Sequence, residues 1–232
     1  MRMLTIAHRG ACTRCPENTL PAYYKACALG ADVVEIDARR TLDGEWVAMH
    51  DPRVDRTTDG SGSVNELTLA AIRRLDAGVW FAPAYRGVKV PTLKEALGAL
   101  RGLAAILLDV KDDSRPDELV ALVESQKVEI MCTLGFRRVE PIKAVKALNP
   151  NVRTLGFIPR PHTEEGVDEY IAAGADVIRF WLAEVRADLI QRVHRAGKAV
   201  WVMAGDIDRA GLDRLRELGC DGVLVNDPAV AV

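Results

Sequence analysis

The sequence predicts an α/β chain folded as a TIM-type (βα)8 barrel. It reads as one domain over residues 1–232, with a small insertion at 51–91 after the second strand. Three observations predict this. A phrase recurs in which a helix end is followed by Gly, any residue, Asp and a strand: ALGADVVEID at 28–37, AAGADVIRFW at 172–181 and ELGCDGVLVND at 217–227. Glycine there suits the left-handed residue that closes a helix, and the aspartate opens the strand. Related units, RGLAAILLDVK at 101–111 and RAGKAVWVM at 195–203, extend the alternation, which is how a parallel α/β sheet is written in sequence. Finally, 232 residues is near the roughly 250 that eight βα units need.

The elements follow in order. An apolar strand at 3–8 runs into His8-Arg9-Gly10, where glycine permits a sharp departure of the backbone. Asn18 is expected to N-cap a helix at 18–29, with Pro21 in its first turn, and Gly30 ends it. A strand at 32–38 completes a βαβ unit, which implies parallel strands and a right-handed crossover. Leu42-Asp43-Gly44 makes a turn into a short strand over Glu45 to Met49. The segment 51–91 breaks the rhythm, with one helix near Thr68 to Leu75. An excursion of this length past a strand's C-terminal end reads as a substrate-covering insertion. Thr92-Leu93-Lys94-Glu95 is a capping box that starts the helix at 93–101. Strands at 104–110, 129–133, 152–157, 175–180, 198–203 and 222–225 then alternate with helices at 116–126, 138–148, 164–173, 186–196 and 207–218.

Chemistry-bearing residues collect at strand C-termini, where (βα)8 barrels build their active sites. The first strand delivers His8 and Arg9. Glu35 and Asp37 share one face of the second, since side chains alternate along a strand. Two like charges side by side need a cation or a proton to offset them. His50-Asp51 follows the short strand, Asp109 and Lys111 share a face of the third barrel strand, Trp201 ends the seventh, and the eighth runs into Asn226-Asp227. Three carboxylates (Glu35, Asp37, Asp109) suit one hard divalent cation, Mg²⁺ or Ca²⁺. Arg9 and Lys111 suit a phosphate, His8 and His50 suit an acid–base pair, and Trp201 offers an apolar wall. His162 reads as a loop residue and His194 as an exposed helix residue. With no P-loop or glycine-rich nucleotide motif, the set points to phosphodiester hydrolysis rather than kinase-type transfer.

Composition narrows the partners. A formal net charge of −2 offers no basic face for nucleic acid. The N-terminal MRMLTIAHRG carries no secretory signal and no run is long enough for a bilayer, so a cytoplasmic protein without stable membrane association is expected. Five scattered cysteines argue for reduced thiols rather than a disulfide framework. Cys12 and Cys15 form a CxxC, but there is no second such pair for zinc and no helix directly after it for thioredoxin-like chemistry. A regulatory disulfide across this loop stays open.

His8-Arg9-Gly10, Pro16-Glu17-Asn18-Thr19, Glu35-x-Asp37 and His50-Asp51, in this order and spacing, resemble the glycerophosphodiester phosphodiesterase family. DRTTDGSGSV, LDAGVW and Val90-Pro91-Thr92-Leu93 resemble that family's insertion, and Asp109-x-Lys111, Trp201 and GCDGVLVNDP its later motifs. The match spans nearly the whole chain and is weakest over 112–170. The resemblance implies hydrolysis of glycerophosphodiesters to glycerol 3-phosphate and an alcohol with one divalent cation. His8 and His50 would be the acid–base pair, Glu35, Asp37 and Asp109 the metal ligands, and Arg9 and Lys111 the phosphate grip. It also implies a route in which the neighbouring glycerol hydroxyl attacks first and water later opens a cyclic phosphate.

The chain departs from the family pattern in places. Asp109 stands where glutamate is usual, which sets its oxygens back by about 1.5 Å, one C–C bond, and leaves direct and water-mediated binding both open. Trp201-Val202-Met203-Ala204 replaces Trp-Thr-Val-Asn, and Asn226 replaces a more usual aspartate. Two competing readings remain at this level. A lysophospholipase D acting on lysophospholipids would use Val79-Trp80-Phe81 as its apolar contact; a non-catalytic phosphodiester-binding module would be expected to have lost a histidine or an acid.

Overall fold

The computed structural model describes residues 2–231. Eight parallel strands close on themselves: β1 (Leu4–Ala7), β2 (Val33–Arg40), β4 (Ala105–Val110), β5 (Cys132–Phe136), β6 (Arg153–Phe157), β7 (Val177–Trp181), β8 (Ala199–Gly205) and β9 (Gly222–Val225). β1 pairs with both β2 and β9, so the barrel has no open edge. Helices α1 (Leu20–Ala28), α3 (Leu93–Leu100), α4 (Pro116–Ser125), α5 (Val139–Leu148), α6 (Glu164–Ala172), α7 (Ala187–Arg195) and α8 (Arg209–Glu217) return the chain outside the strands. The extra strand β3 (Trp46–Ala48) pairs antiparallel with the end of β2. The expected barrel and its capping box, in which Thr92 and Glu95 cap each other's backbone, are both present.

Two apolar layers hold the barrel. Outside, one side-chain row of each strand packs under the helices, with Ile36, Ile106, Leu108, Ile178 and Val200 among the fully buried residues. Inside, Ile6, Val33, Leu107, Leu155, Phe157, Val177, Trp201 and Leu224 fill the interior. The inner row explains the site. Because side chains alternate, Val33 is followed on the same face by Glu35 and Asp37, and Leu107 by Asp109 and Lys111. The pairing puts Asp37 directly beside Asp109.

The segment between β3 and α3 carries α2 (Leu69–Ile72) and short 3-10 turns around its own small core of Val47, Met49, Val54, Val64, Ile72, Ala77 and Val90. Arg73 ties it to α3 with a two-pronged grip on Glu95, 2.8 and 2.9 Å. One expected boundary moves: the strand read at 129–133 runs over Cys132–Phe136. The chain is still turning after α4, with Lys127 at φ 55° and Met131 N–H bonded to the Val128 carbonyl.

Candidate active site

The loop after β1 is shaped by backbone before side chains. Arg9 and Gly10 both take positive φ, 54° and 77°. A Cβ on Gly10 would stand 2.7 Å from the Ala22 carbonyl carbon, so only glycine fits there. The turn aims the Arg9 backbone N–H at Glu35 Oε2, 2.6 Å away. Asn18 does not cap α1, contrary to expectation; Thr19 does, its hydroxyl oxygen accepting the Ala22 N–H. Asn18, itself at φ 54°, instead donates from Nδ2 to Asp37 Oδ2 (2.7 Å) and accepts the Asp37 backbone N–H (3.1 Å). The side chain that looked like a cap is a brace for an acid.

Glu35, Asp37 and Asp109 are all buried, and each offers an oxygen within 4.8 Å of the others. Among the described residues this is the one cluster of its kind. Burial, together with Asp37 and Asp109, pushes the Glu35 carboxyl well above its ordinary range. Burial also works against an ionised Asp37, but Lys111 and Arg9 outweigh it and hold that carboxyl at about 2. Lys111 Nζ lies 2.5 Å from Asp109 Oδ2 and 2.8 Å from Asp37 Oδ1. Asp37 Oδ1 thus meets the Lys111 ammonium as a close ion pair. Three hard oxygen donors crowded together, with Glu35 pushed up by its neighbours, fit a divalent cation.

The two histidines are held differently. His8 Nδ1 lies 2.8 Å from Asn226 Oδ1, and Asn226 Nδ2 donates to Asp206 Oδ1 at 3.0 Å. That second bond fixes the amide so that its oxygen faces the ring. His8 therefore carries its proton on Nδ1 and leaves Nε2 as an acceptor. Burial, then the charge on Arg9, lowers its pKa. His50 Nδ1 meets a carboxylate instead, Asp51 Oδ1 at 2.6 Å, and Arg56 grips Asp51 and Glu17 together. Both imidazoles line a cavity of about 220 Å³ with Arg9, Glu35, Asp109 and Lys111.

The family assignment rests on this arrangement and on comparison with known proteins. The family model for the glycerophosphoryl diester phosphodiesterase family matches residues 8–230. The chain belongs to that family. A glycerophosphodiester phosphodiesterase of Bacillus subtilis is 41% identical over 98% of this chain and 84% of its own. One from Caldanaerobacter subterraneus is 29% identical over 100% and 97%. Among solved structures, a glycerophosphodiester phosphodiesterase from Agrobacterium tumefaciens superposes with a TM-score of 0.88 at 28% identity, covering 99% of this chain and 98% of that one. A phosphodiesterase of Oleispira antarctica in complex with its product sn-glycerol-3-phosphate superposes equally well, at 26% identity over 97% and 94%. This phosphodiesterase has no helix, among the described residues, long and apolar enough to cross a membrane.

Trp201 is a correction. It is 2% exposed inside the barrel, packed against Gly222, and it faces the N-terminal end of the strands rather than the catalytic rim. A strand advances two residues per same-side position, so Met203 reaches the rim cavity in its place. The aromatic wall there is Phe157 and Trp181. Two arginines were missed. Arg137 grips both oxygens of Asp109, at 2.7 and 2.9 Å. Reading β5 three residues early put Arg137 four positions past the strand end, when it directly follows that end. Arg179 stands on β7 between the paired positions Phe157 and Trp201. An arginine within the apolar run Val177 to Trp181 was the available signal. His162 is in a loop, as expected, but buried, and His194 is exposed on α7 beside Asp221.

The five cysteines are unpaired. Cys12 Sγ faces the Asn226 carbonyl oxygen at 3.6 Å and Cys15 Sγ faces the Tyr85 hydroxyl at 3.2 Å. Burial pushes the Cys12 thiol up to about 12, against thiolate chemistry.

Proposed function

We propose that this family member hydrolyses glycerophosphodiesters to glycerol 3-phosphate and an alcohol with the help of one divalent cation, Mg²⁺ or Ca²⁺, and two histidines. The supporting observation is the asymmetry of the histidine pair in one cavity: His8 faces a neutral amide, His50 a carboxylate, and Glu35 and Asp109 of the three-acid cluster line the same space. Glu35, Asp37 and Asp109 would hold the cation, which when bound supplies positive charge against the developing charge on the phosphate oxygens.

The chain's own groups do the rest. His8, neutral and with Nε2 free, takes the proton of the attacking glycerol hydroxyl, and water then opens the resulting cyclic phosphate to give glycerol 3-phosphate. His50, whose ring is held by the Asp51 carboxylate at Nδ1, gives a proton to the departing alcohol oxygen. Arg9 and Lys111 line the cavity already engaged with carboxylates, so they approach the phosphate as positioned charges rather than as free side chains. The segment 51–91 supports this geometry through Arg56, which links Asp51 to Glu17 beside Arg9. Unpaired cysteines fit a reducing, cytoplasmic setting.

A lysophospholipase D reading draws less support. Phe81 packs edge-on against both Trp80 and Tyr85, and Trp80 Nε1 donates to the Ala77 carbonyl, so the aromatics serve the insertion itself. A binding-only module draws none, because every acid and both histidines are in place. The test is glycerol 3-phosphate release from glycerophosphoethanolamine with Mg²⁺ or Ca²⁺ added, compared with release in EDTA. Equal rates in EDTA would rule out the cation's role.

A further inference from the structure

Four cationic side chains line the rim cavity: Arg9, Lys111, Arg137 and Arg179. Three are closed on carboxylates, Arg9 on Glu17, Lys111 on Asp37 and Asp109, and Arg137 on Asp109. Arg179 is different. It is only 6% exposed, its Nη1 is buried without a hydrogen-bond partner, and among the described residues it forms no ion pair. Its guanidinium lies 4.8 Å from the ring centre of Phe157 and 4.2 Å from that of Trp181. The packing is specific: a Cβ on Gly135 would collide with the Phe157 ring at 2.6 Å, so that ring occupies space which only glycine leaves open.

Ring faces attract a cation but satisfy none of its hydrogen-bond donors. A buried guanidinium with donors unmet is costly until an anion arrives. Burial lowers its pKa to about 10, so it is still charged at neutral pH. The scissile phosphate already has Arg9 and Lys111. The Trp181 face, where a quaternary ammonium would otherwise stack, lies against the guanidinium.

We propose that Arg179 is a specificity-determining residue that reads a second anionic group, a carboxylate or a phosphate on the departing alcohol. This rests on the diester-hydrolase reading above. The substrate class is thus glycerophosphodiesters whose head group carries its own negative charge, in preference to choline-type cations. A planar guanidinium can bond two oxygens of either group at once.

Two substrate pairs isolate the effect. Glycerophosphoserine differs from glycerophosphoethanolamine by one carboxylate; bis(glycerophospho)glycerol differs from glycerophosphoglycerol by a second phosphodiester. With the cation present, kcat/KM should favour the anionic member of at least one pair by at least ~10-fold, and the preferred pair names the group. In R179M that ratio should fall toward one, whereas R179K, which keeps the charge without the fork, should retain part of it. Turnover of all four compounds with ratios near one in the wild type would overturn the inference and leave the diesterase standing. Release from none of the four would sink the diesterase reading itself. A wild-type ratio that persists in R179M would also overturn the inference. The wild-type ratios need no substitution, so a poorly folding variant does not protect it.

Discussion

At the scale of single residues, the site depends on what each imidazole faces. His8→Ala and His50→Ala should each lower kcat by at least ~100-fold, the usual worth of a positioned acid or base. Single-turnover product release checks this, and near-wild-type rates in either variant would remove that residue from the chemistry. Asn226 makes a finer prediction. As the proposed base, His8 would work in its neutral form, so activity should rise as pH rises through its pKa. Burial and Arg9 hold that pKa below the ordinary histidine value of 6.5. The acid limb of the rate profile should therefore lie below pH 6.5. Asn226→Asp puts a carboxylate against Nδ1, stabilises the imidazolium and should move that limb to higher pH. A limb that stays in place would mean that another group titrates there. These two histidines were legible in the sequence because each directly follows a short apolar run. Asn226 drew notice as a residue past the last strand and as a departure from the family pattern, but its tie to His8 did not, since that partner lies 218 positions away.

The next scale is the element, where loops and strands deliver the residues. Gly10 is the tightest point: Gly10→Ala would strain a positive-φ turn and press a methyl against α1. The turn also points the Arg9 N–H at Glu35. A loss of more than about 1 kcal/mol is expected, because both backbone strain and overlap contribute. Urea unfolding measures it, and an unchanged midpoint would show that the loop relaxes freely. Strand phase decided what could be read beforehand. Glu35, Asp37, Asp109 and Lys111 follow from alternation alone, and the register joins them. Arg137 was lost to a helix end that keeps turning through Met131, and Trp201 was placed at the rim although it lies one inward position short of it. Asn18 looked like a cap because Asn suits caps, yet Asp37 competes for its amide.

The whole molecule couples closure of the barrel to a charge problem. Two neighbouring strands of the barrel bring three acids to one point, and Lys111, Arg9 and Arg137 offset them only in part: Glu35 is still pushed well above its ordinary range. A cation that binds the native state alone must stabilise it. Saturating Mg²⁺ or Ca²⁺, at about 100 times its Kd, should raise unfolding stability by about 2.7 kcal/mol, and Asp37→Asn should abolish the shift. A thermal midpoint indifferent to both ions would argue against a cation among these acids. The barrel itself was legible because its helix–Gly–strand phrase repeats, and repetition survives errors in any one boundary. The convergence of Arg137 and Arg179 on one aromatic ring was not, because it belongs to the closed sheet rather than to any local pattern. The most direct test of the central claim is an assay of glycerol 3-phosphate release by wild-type, His8→Ala and His50→Ala protein, each with Mg²⁺ or Ca²⁺ and each with EDTA. Release by the wild type with cation alone is predicted; release that survives EDTA, or survives loss of either histidine, would contradict it.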